Sequence, residues 1–298
     1  MTEENTNKGE RIAKVMARAG LCSRREAERW IAERRVEMNG QVIDTPATLV
    51  TDLDTVVVDG KPLPAAQEAM IWRYHKPPGL VTSHNDEQGR PTVFDSLPPQ
   101  LGRVISVGRL DLNSEGLLLL TNDGGLAREL ELPSTGWIRT YRVRVFGFIT
   151  EEMLLELKDG ITVDGIRYGA IDARIEKKTG RNTWLIVSLA EGKNREIRRV
   201  MEYLNVQVNR LIRQSYGPFR LDKLERGEVQ EVPRRQMIDQ LGAKLGEAVI
   251  PPKTSKTGWA KPKAKPNPKP KGKGKPKPDT KSKPKGKRPG KPQGKPKK

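Results

Sequence analysis

The chain of 298 residues carries 56 Lys and Arg against 37 Asp and Glu, a formal net charge of +19, and its length suits one large domain or two smaller ones plus tails. The single cysteine, Cys22, excludes an internal disulfide, and with only His75 and His84 beside it a zinc site would need mostly carboxylate ligands, so no metal is expected. No apolar run approaches a membrane span and the first residues lack a signal-peptide core, which makes a cytoplasmic protein the expectation.

Residues 1–9 are polar and are expected to stay disordered. Ile12, Val15, Met16 and Ala19 then recur at helical spacing until Gly20 ends the stripe. Ser23-Arg24-Arg25-Glu26 has the form of a capping box, and Ala27, Trp30 and Ile31 follow on one helical face. Asn39-Gly40 separates Val36–Met38 from Val42-Ile43 as a hairpin signal, and Val56–Val58 before Asp59-Gly60 is a second strand and turn. Residues 62–68 read as a linker, and a second domain begins near Ile71 with a strand that runs into His75-Lys76-Pro77-Pro78-Gly79. Further on, Tyr141, Val143 and Val145 alternate with Arg142 and Arg144, and Trp184, Ile186 and Ser188 alternate with Leu185 and Val187. Helices are expected near 125–131, 151–158 and 194–204. Without regular βαβ alternation the fold class is α+β, built on a mostly antiparallel sheet.

The stretch GRLDLNSEGLLLLTNDG, residues 108–124, places Asp111 between Arg109 and four leucines. A carboxylate in such company is costly unless its charge is paired or used. On an extended backbone Arg109 and Asp111 leave the same face, Leu117 to Leu120 read as a strand buried on both sides, and Asn122-Asp123-Gly124 turns the chain. Spacing alone leaves a surface aspartate and a catalytic one equally open.

This segment closely resembles the active-site motif of the pseudouridine synthases, in the branch that modifies ribosomal RNA and carries a small N-terminal RNA-binding domain. The resemblance extends over roughly residues 10–245: the helix-helix-strand layout resembles an S4-type domain over 10–66, the segment after His75 resembles the family's KPxG stretch, and the catalytic domain would span 70–245. It implies that Asp111 is the catalytic residue, and it assigns Arg198, in EGKNREIRR, as the cation that pairs with it. Tyr141 falls where the family places its base-stacking tyrosine, while Arg109 would work on the RNA, entering the gap left by a displaced nucleotide. Ile197 and Leu211 are weaker candidates for apolar pocket walls. In the S4-like domain Arg24, Arg25 and Arg29 are the candidate phosphate contacts.

The chemistry fits one carboxylate and no cofactor. Isomerising uridine breaks the bond from C1′ to N1, rotates the uracil and rejoins it at C5, with no redox change, hydrolysis or phosphate activation. The carboxylate can attack the sugar, attack uracil C6 or remove a sugar proton, and the sequence leaves these routes open. In each it must be ionised. A free aspartate titrates near ~3.9 and burial raises that, so a fixed cation nearby is required. The target base must leave its stack to enter a pocket, where an aromatic ring contributes about 1 to 3 kcal/mol by stacking.

Residues 251–298 hold 18 Lys and one Arg against the single Asp279, so residues 1–250 are left within one charge of neutral. Twelve of the 23 prolines lie in this stretch too, which reads as a disordered tether to a polyanion. The resemblance implies ribosomal RNA as the partner, 23S in the first place, or a ribosomal assembly intermediate, bound by a monomer. Small-subunit 16S RNA is the alternative substrate. Two rival readings are a non-enzymatic S4-domain assembly factor and an S4-linked methyltransferase, the latter lacking any glycine-rich cofactor loop.

Overall fold

In the computed structural model, which describes residues 9–245, the chain opens with two short helices and a small sheet. Strand β1 (Glu10–Arg11) leads into α1 (Ile12–Arg18) and α2 (Arg24–Ala32), followed by β2 (Val36–Met38), β3 (Gln41–Val42), β4 (Leu49–Val50), β5 (Val56–Val58) and β6 (Lys61–Pro62). The box at the start of α2 is complete: the Glu26 amide donates to Ser23 Oγ at 3.1 Å and the Ser23 amide donates to Glu26 Oε2 at 2.7 Å. Asn39-Gly40 and Asp59-Gly60 both adopt positive φ at both positions, the geometry that lets a two-residue turn follow strand twist, and they join β2 to β3 and β5 to β6. The pairing of β1 with β4, which ties the first helix to the sheet region, had no signal in the local pattern. Ile12, Met16, Ala27, Ile31, Val36 and Val56 close a small core of their own.

The second part is a nine-stranded sheet. Its strands are β7 (Ile71–Lys76), β8 (Ile105–Val107), β9 (Glu115–Thr121), β10 (Arg139–Phe146), β13 (Ile171–Thr179), β14 (Asn182–Leu189), β15 (Gln207–Tyr216), β16 (Phe219–Arg220) and β17 (Val229–Glu231). The hairpin β11 (Ile161–Val163) and β12 (Ile166–Tyr168) stands apart, and helices α3 (Gly124–Glu131), α4 (Glu151–Leu155), α5 (Glu196–Tyr203) and α6 (Arg234–Leu245) intervene. The sheet order is β13-β14-β10-β15-β9-β7-β17, with β16 on β15 and β8 on β9. Every ladder is antiparallel except the junction of β15 with β9, where Ile212 and Arg213 face Glu115 and Gly116.

Strand β9 is buried throughout. Leu118 and Leu120 enter the core shared with Tyr141, Val143, Leu185 and α5, while Leu117 and Leu119 enter the one closed by α3 and α6. Burying each leucine contributes about 2 kcal/mol, so this strand pins the middle of the sheet and the loop that enters it. Asn122-Asp123-Gly124 turns the chain into α3, where Asp123 Oδ1 accepts from the Gly125 and Leu126 amides as the cap. One local expectation is corrected. The 151–158 helix is shorter, with α4 ending at Leu155 and a tighter 3₁₀ turn covering Glu156–Asp159. Of the segments expected to be disordered, 1–9 and the tail 251–298, all but Gly9 lie outside the described residues.

Candidate active site

Asp111 lies in the loop between β8 and β9, at the head of a turn through residues 112 and 113, and Arg109 lines the same hollow. The Ser114 amide donates to the Asp111 carbonyl at 3.0 Å, and the Gly79 amide reaches the Leu112 carbonyl at 2.8 Å. Beneath the turn stands Lys76, with no exposed surface. Its ammonium donates to the carbonyls of Pro77 (3.0 Å), Asp111 (3.2 Å), Leu112 (3.3 Å) and Ser114 (2.9 Å). Burial pulls this lysine down to about 8, against partial support from the charges of Asp111 and Glu115. The sequence reading assigned it no role. The signal was there, since Trp72, Tyr74 and Lys76 share the inward phase of β7.

The carboxylate itself meets two guanidinium groups. Arg198, on the first turns of α5, places Nε 3.8 Å from Asp111 Oδ2, and Arg195 places Nη1 3.7 Å from the same oxygen. Arg198 is tethered, donating to the carbonyls of Val208 and Asn113 at 3.3 Å each and reaching Ser114 Oγ at 3.5 Å. Its burial, with Arg195 adding to the effect and Asp111 opposing it, pulls its guanidinium below the usual arginine value. Arg195 is a residue that the sequence reading passed over among the cations around Arg198. Only the fold separates them.

These side chains line one hollow of about 80 Å³ with Arg109, Tyr141, Leu189, Ile197 and Leu211. All six catalytic-domain candidates from the sequence therefore line a single depression. Tyr141 belongs to the main core as well as to the hollow and is 8% exposed, so a side chain fixed by core packing also forms part of the lining. The hollow adjoins a groove of about 390 Å³ that shares Arg109, Asp111 and Arg195 and adds Thr82, Arg90 and Asn194. Arg109 is exposed and makes no ion pair among the described residues. One wall, the 190–195 loop, is anchored from below: buried Arg139 donates to the carbonyls of Ala190 and Glu191, at 3.2 Å for the latter, and its guanidinium stacks on Tyr216.

Glu115 stiffens the other side of the turn. It is 4% exposed and accepts from Arg210 at 2.5 Å and from Arg226 at 2.8 Å. Burial raises this carboxyl, but the Arg210 hydrogen bond and the two charges outweigh it and hold it below the usual glutamate value. His75 bonds the Leu224 carbonyl through Nδ1 at 2.7 Å, a structural contact. The S4-side candidates do not converge here. Arg24 lines a separate cleft of about 360 Å³ with Asp123 and Arg128, Arg25 is exposed, and Arg29 lies 3.8 Å from Glu33.

Among the described residues no group of His, Cys, Asp and Glu is arranged to hold a metal. What the site offers is one carboxylate on a rigid turn, paired through one oxygen, beside an aromatic ring and apolar walls. That set suits general-base or nucleophilic work on a planar, uncharged ring.

Comparison with known proteins follows the same division of the chain. A family model described as RNA pseudouridylate synthase matches residues 71–203, and an S4 domain model matches residues 10–62. An RNA pseudouridine synthase of Rickettsia bellii, itself called uncharacterized, is 46% identical over 226 residues, covering 76% of this chain and 98% of that protein. The ribosomal large subunit pseudouridine synthase B of Pasteurella multocida is 44% identical over 235 residues, 75% of this chain and 67% of its own. A crystal structure of a pseudouridylate synthase superposes with a TM-score of 0.54 at 26% identity, covering 78% of this chain and 99% of that one.

Proposed function

Since the chain belongs to the RNA pseudouridylate synthase family and is an isomerase acting on RNA, we propose that it converts uridine to pseudouridine in ribosomal RNA, the large-subunit 23S molecule in particular. The large-subunit reading rests on relatives such as the Pasteurella multocida enzyme, whose name states that target. The observation that carries the residue assignment is Asp111, lodged in one hollow with Arg198 and Tyr141.

In this reading Asp111 is the catalytic carboxylate, and Arg198 keeps it charged while the uracil excludes water. Tyr141 stacks on the flipped base, and Ile197 and Leu211 close the apolar sides. Arg109, exposed at the rim, fills the gap in the RNA. No cofactor takes part. Over the whole reaction the bond from C1′ to N1 is exchanged for one from C1′ to C5, C5 gives up its proton to a base or water, and N1 takes one up. Arg24, Arg25 and Arg29 of the S4 domain contact phosphates away from the hollow.

Asp111→Asn is isosteric and removes only the charge, so it should abolish turnover while leaving RNA affinity within about twofold. A variant that isomerises at the wild-type rate refutes the assignment. Mapping pseudouridines across both ribosomal RNAs, with and without the gene, identifies the substrate. A lost site in 16S rather than 23S RNA would refute the large-subunit reading alone.

A further inference from the structure

The two guanidinium groups at Asp111 differ in freedom. Arg198 is 15% exposed in its side chain and held by three acceptors besides the carboxylate. Arg195 is 53% exposed in its side chain, and its ion pair with Asp111 is its sole side-chain partner among the described residues. Its backbone is nonetheless fixed. It sits at φ 51°, in the left-handed region, at the N-cap of α5, on a loop whose base Arg139 pins through the Ala190 and Glu191 carbonyls. The stem is fixed, and the exposed guanidinium is held by that one ion pair.

Charge says what could take it. Two guanidiniums facing one carboxylate leave an excess of one positive charge, which the single negative charge of a phosphodiester would balance. The other cations of the adjoining groove are already occupied or lie apart: Arg90 is bound to Asp86 at 2.6 Å and Lys193 to Glu191 at 2.8 Å. Arg195 and unpaired Arg109 are left, and both line the hollow as well as the groove together with Asp111.

We propose that Arg195 is a displaceable counter-ion, which covers Asp111 in the free enzyme and is drawn off by a phosphodiester of the bound RNA, leaving the carboxylate to Arg198. Docking of the strand and uncovering of the reactive group are then one event. The proposal rests on the functional reading above and assigns Arg195 a phosphate contact in addition to its place beside Asp111.

The test uses the full-length chain and transcripts of both ribosomal RNAs, with binding measured across a salt series alongside KM and the rate at saturating RNA. Arg195→Gln should lower the magnitude of the salt slope by about 0.7 to 0.9, the loss of one phosphate contact. It should raise KM roughly tenfold, more than it lowers the saturated rate. Arg195→Lys should recover the slope, because a phosphate accepts an ammonium as well. An Arg195→Gln enzyme with the wild-type slope and KM overturns the proposal, whether its saturated rate falls or not. A wild-type chain that binds neither transcript and forms no pseudouridine overturns the functional reading instead, and the proposal with it.

Discussion

Lys76 is the residue on which the candidate carboxylate stands. A fully buried ammonium with four backbone carbonyls around it holds the Pro77–Ser114 region as one unit, and a shift of about 1 Å in a reacting group can cost a hundredfold in rate. Lys76→Met removes the charge and the donor those four carbonyls share, leaving the Asp111 and Leu112 carbonyls with their backbone amides only, so single-turnover isomerisation should fall about a hundredfold with cooperative unfolding retained. Protonation carries its own signature. The folded value of about 8 lies below the usual 10.5, so between these pH values the unfolded chain binds the proton and the folded one does not. This group therefore adds stability as pH rises through that window, and takes it away as pH falls back through 8. Turnover should move the other way, declining above pH 8 as a neutral amine loses one of its three donors. A rate that stays flat from pH 8 to 10.5 would show that the turn does not depend on the ammonium.

Where β9 meets β15, the one parallel contact in the sheet brings two backbones together immediately after the Asp111 turn. Gly116 makes that approach possible. It lies at φ 105°, and a Cβ there would fall onto the backbone of Arg213. Gly116→Ala must both strain the backbone and push the strands apart, at a cost of about 3 kcal/mol. The measurable outcome is a lower midpoint in denaturant with an unchanged slope; an unaltered midpoint would mean that the junction opens freely. Glu115 adds to the same element, since two arginines from β15 and the segment before β17 converge on it.

Over the whole molecule, charge and chemistry are kept in separate places. Residues 1–250 are almost balanced and hold the site, whereas nearly all of the net +19 belongs to the 18 lysines and one arginine beyond Ile250. Polyanion affinity grows with each phosphate neutralised and is screened by salt. Ending the chain before Pro251 should therefore weaken RNA binding and flatten its salt dependence, with a smaller change in single-turnover rate at saturating RNA. Binding and a salt slope that both survive the truncation would show that the folded part does the docking alone.

Local signals in the sequence carried the elements well, because each depends on neighbours a few residues apart. The capping box at Ser23, the Asn39-Gly40 and Asp59-Gly60 turns, and the alternation in β10 and β14 are of this kind. The four-leucine run is too, since a strand apolar on both faces needs a core on each side. The candidates Asp111, Tyr141 and Arg198 were legible through a motif resemblance rather than through spacing, which left a surface aspartate as open as a catalytic one and favoured a core tyrosine. Long-range contacts had no such trace. The β1–β4 pair, the carbonyl cage around Lys76, and the choice of Arg195 over Lys193 and Arg199 as the second cation at Asp111 join residues tens of positions apart or distinguish neighbours of one type. Composition and pattern thus determined which segments form and what chemistry they contain. Only the tertiary fold decided which of several equivalent charges faces the carboxylate, because electrostatic pairing depends on distances of a few ångströms that chain order does not specify.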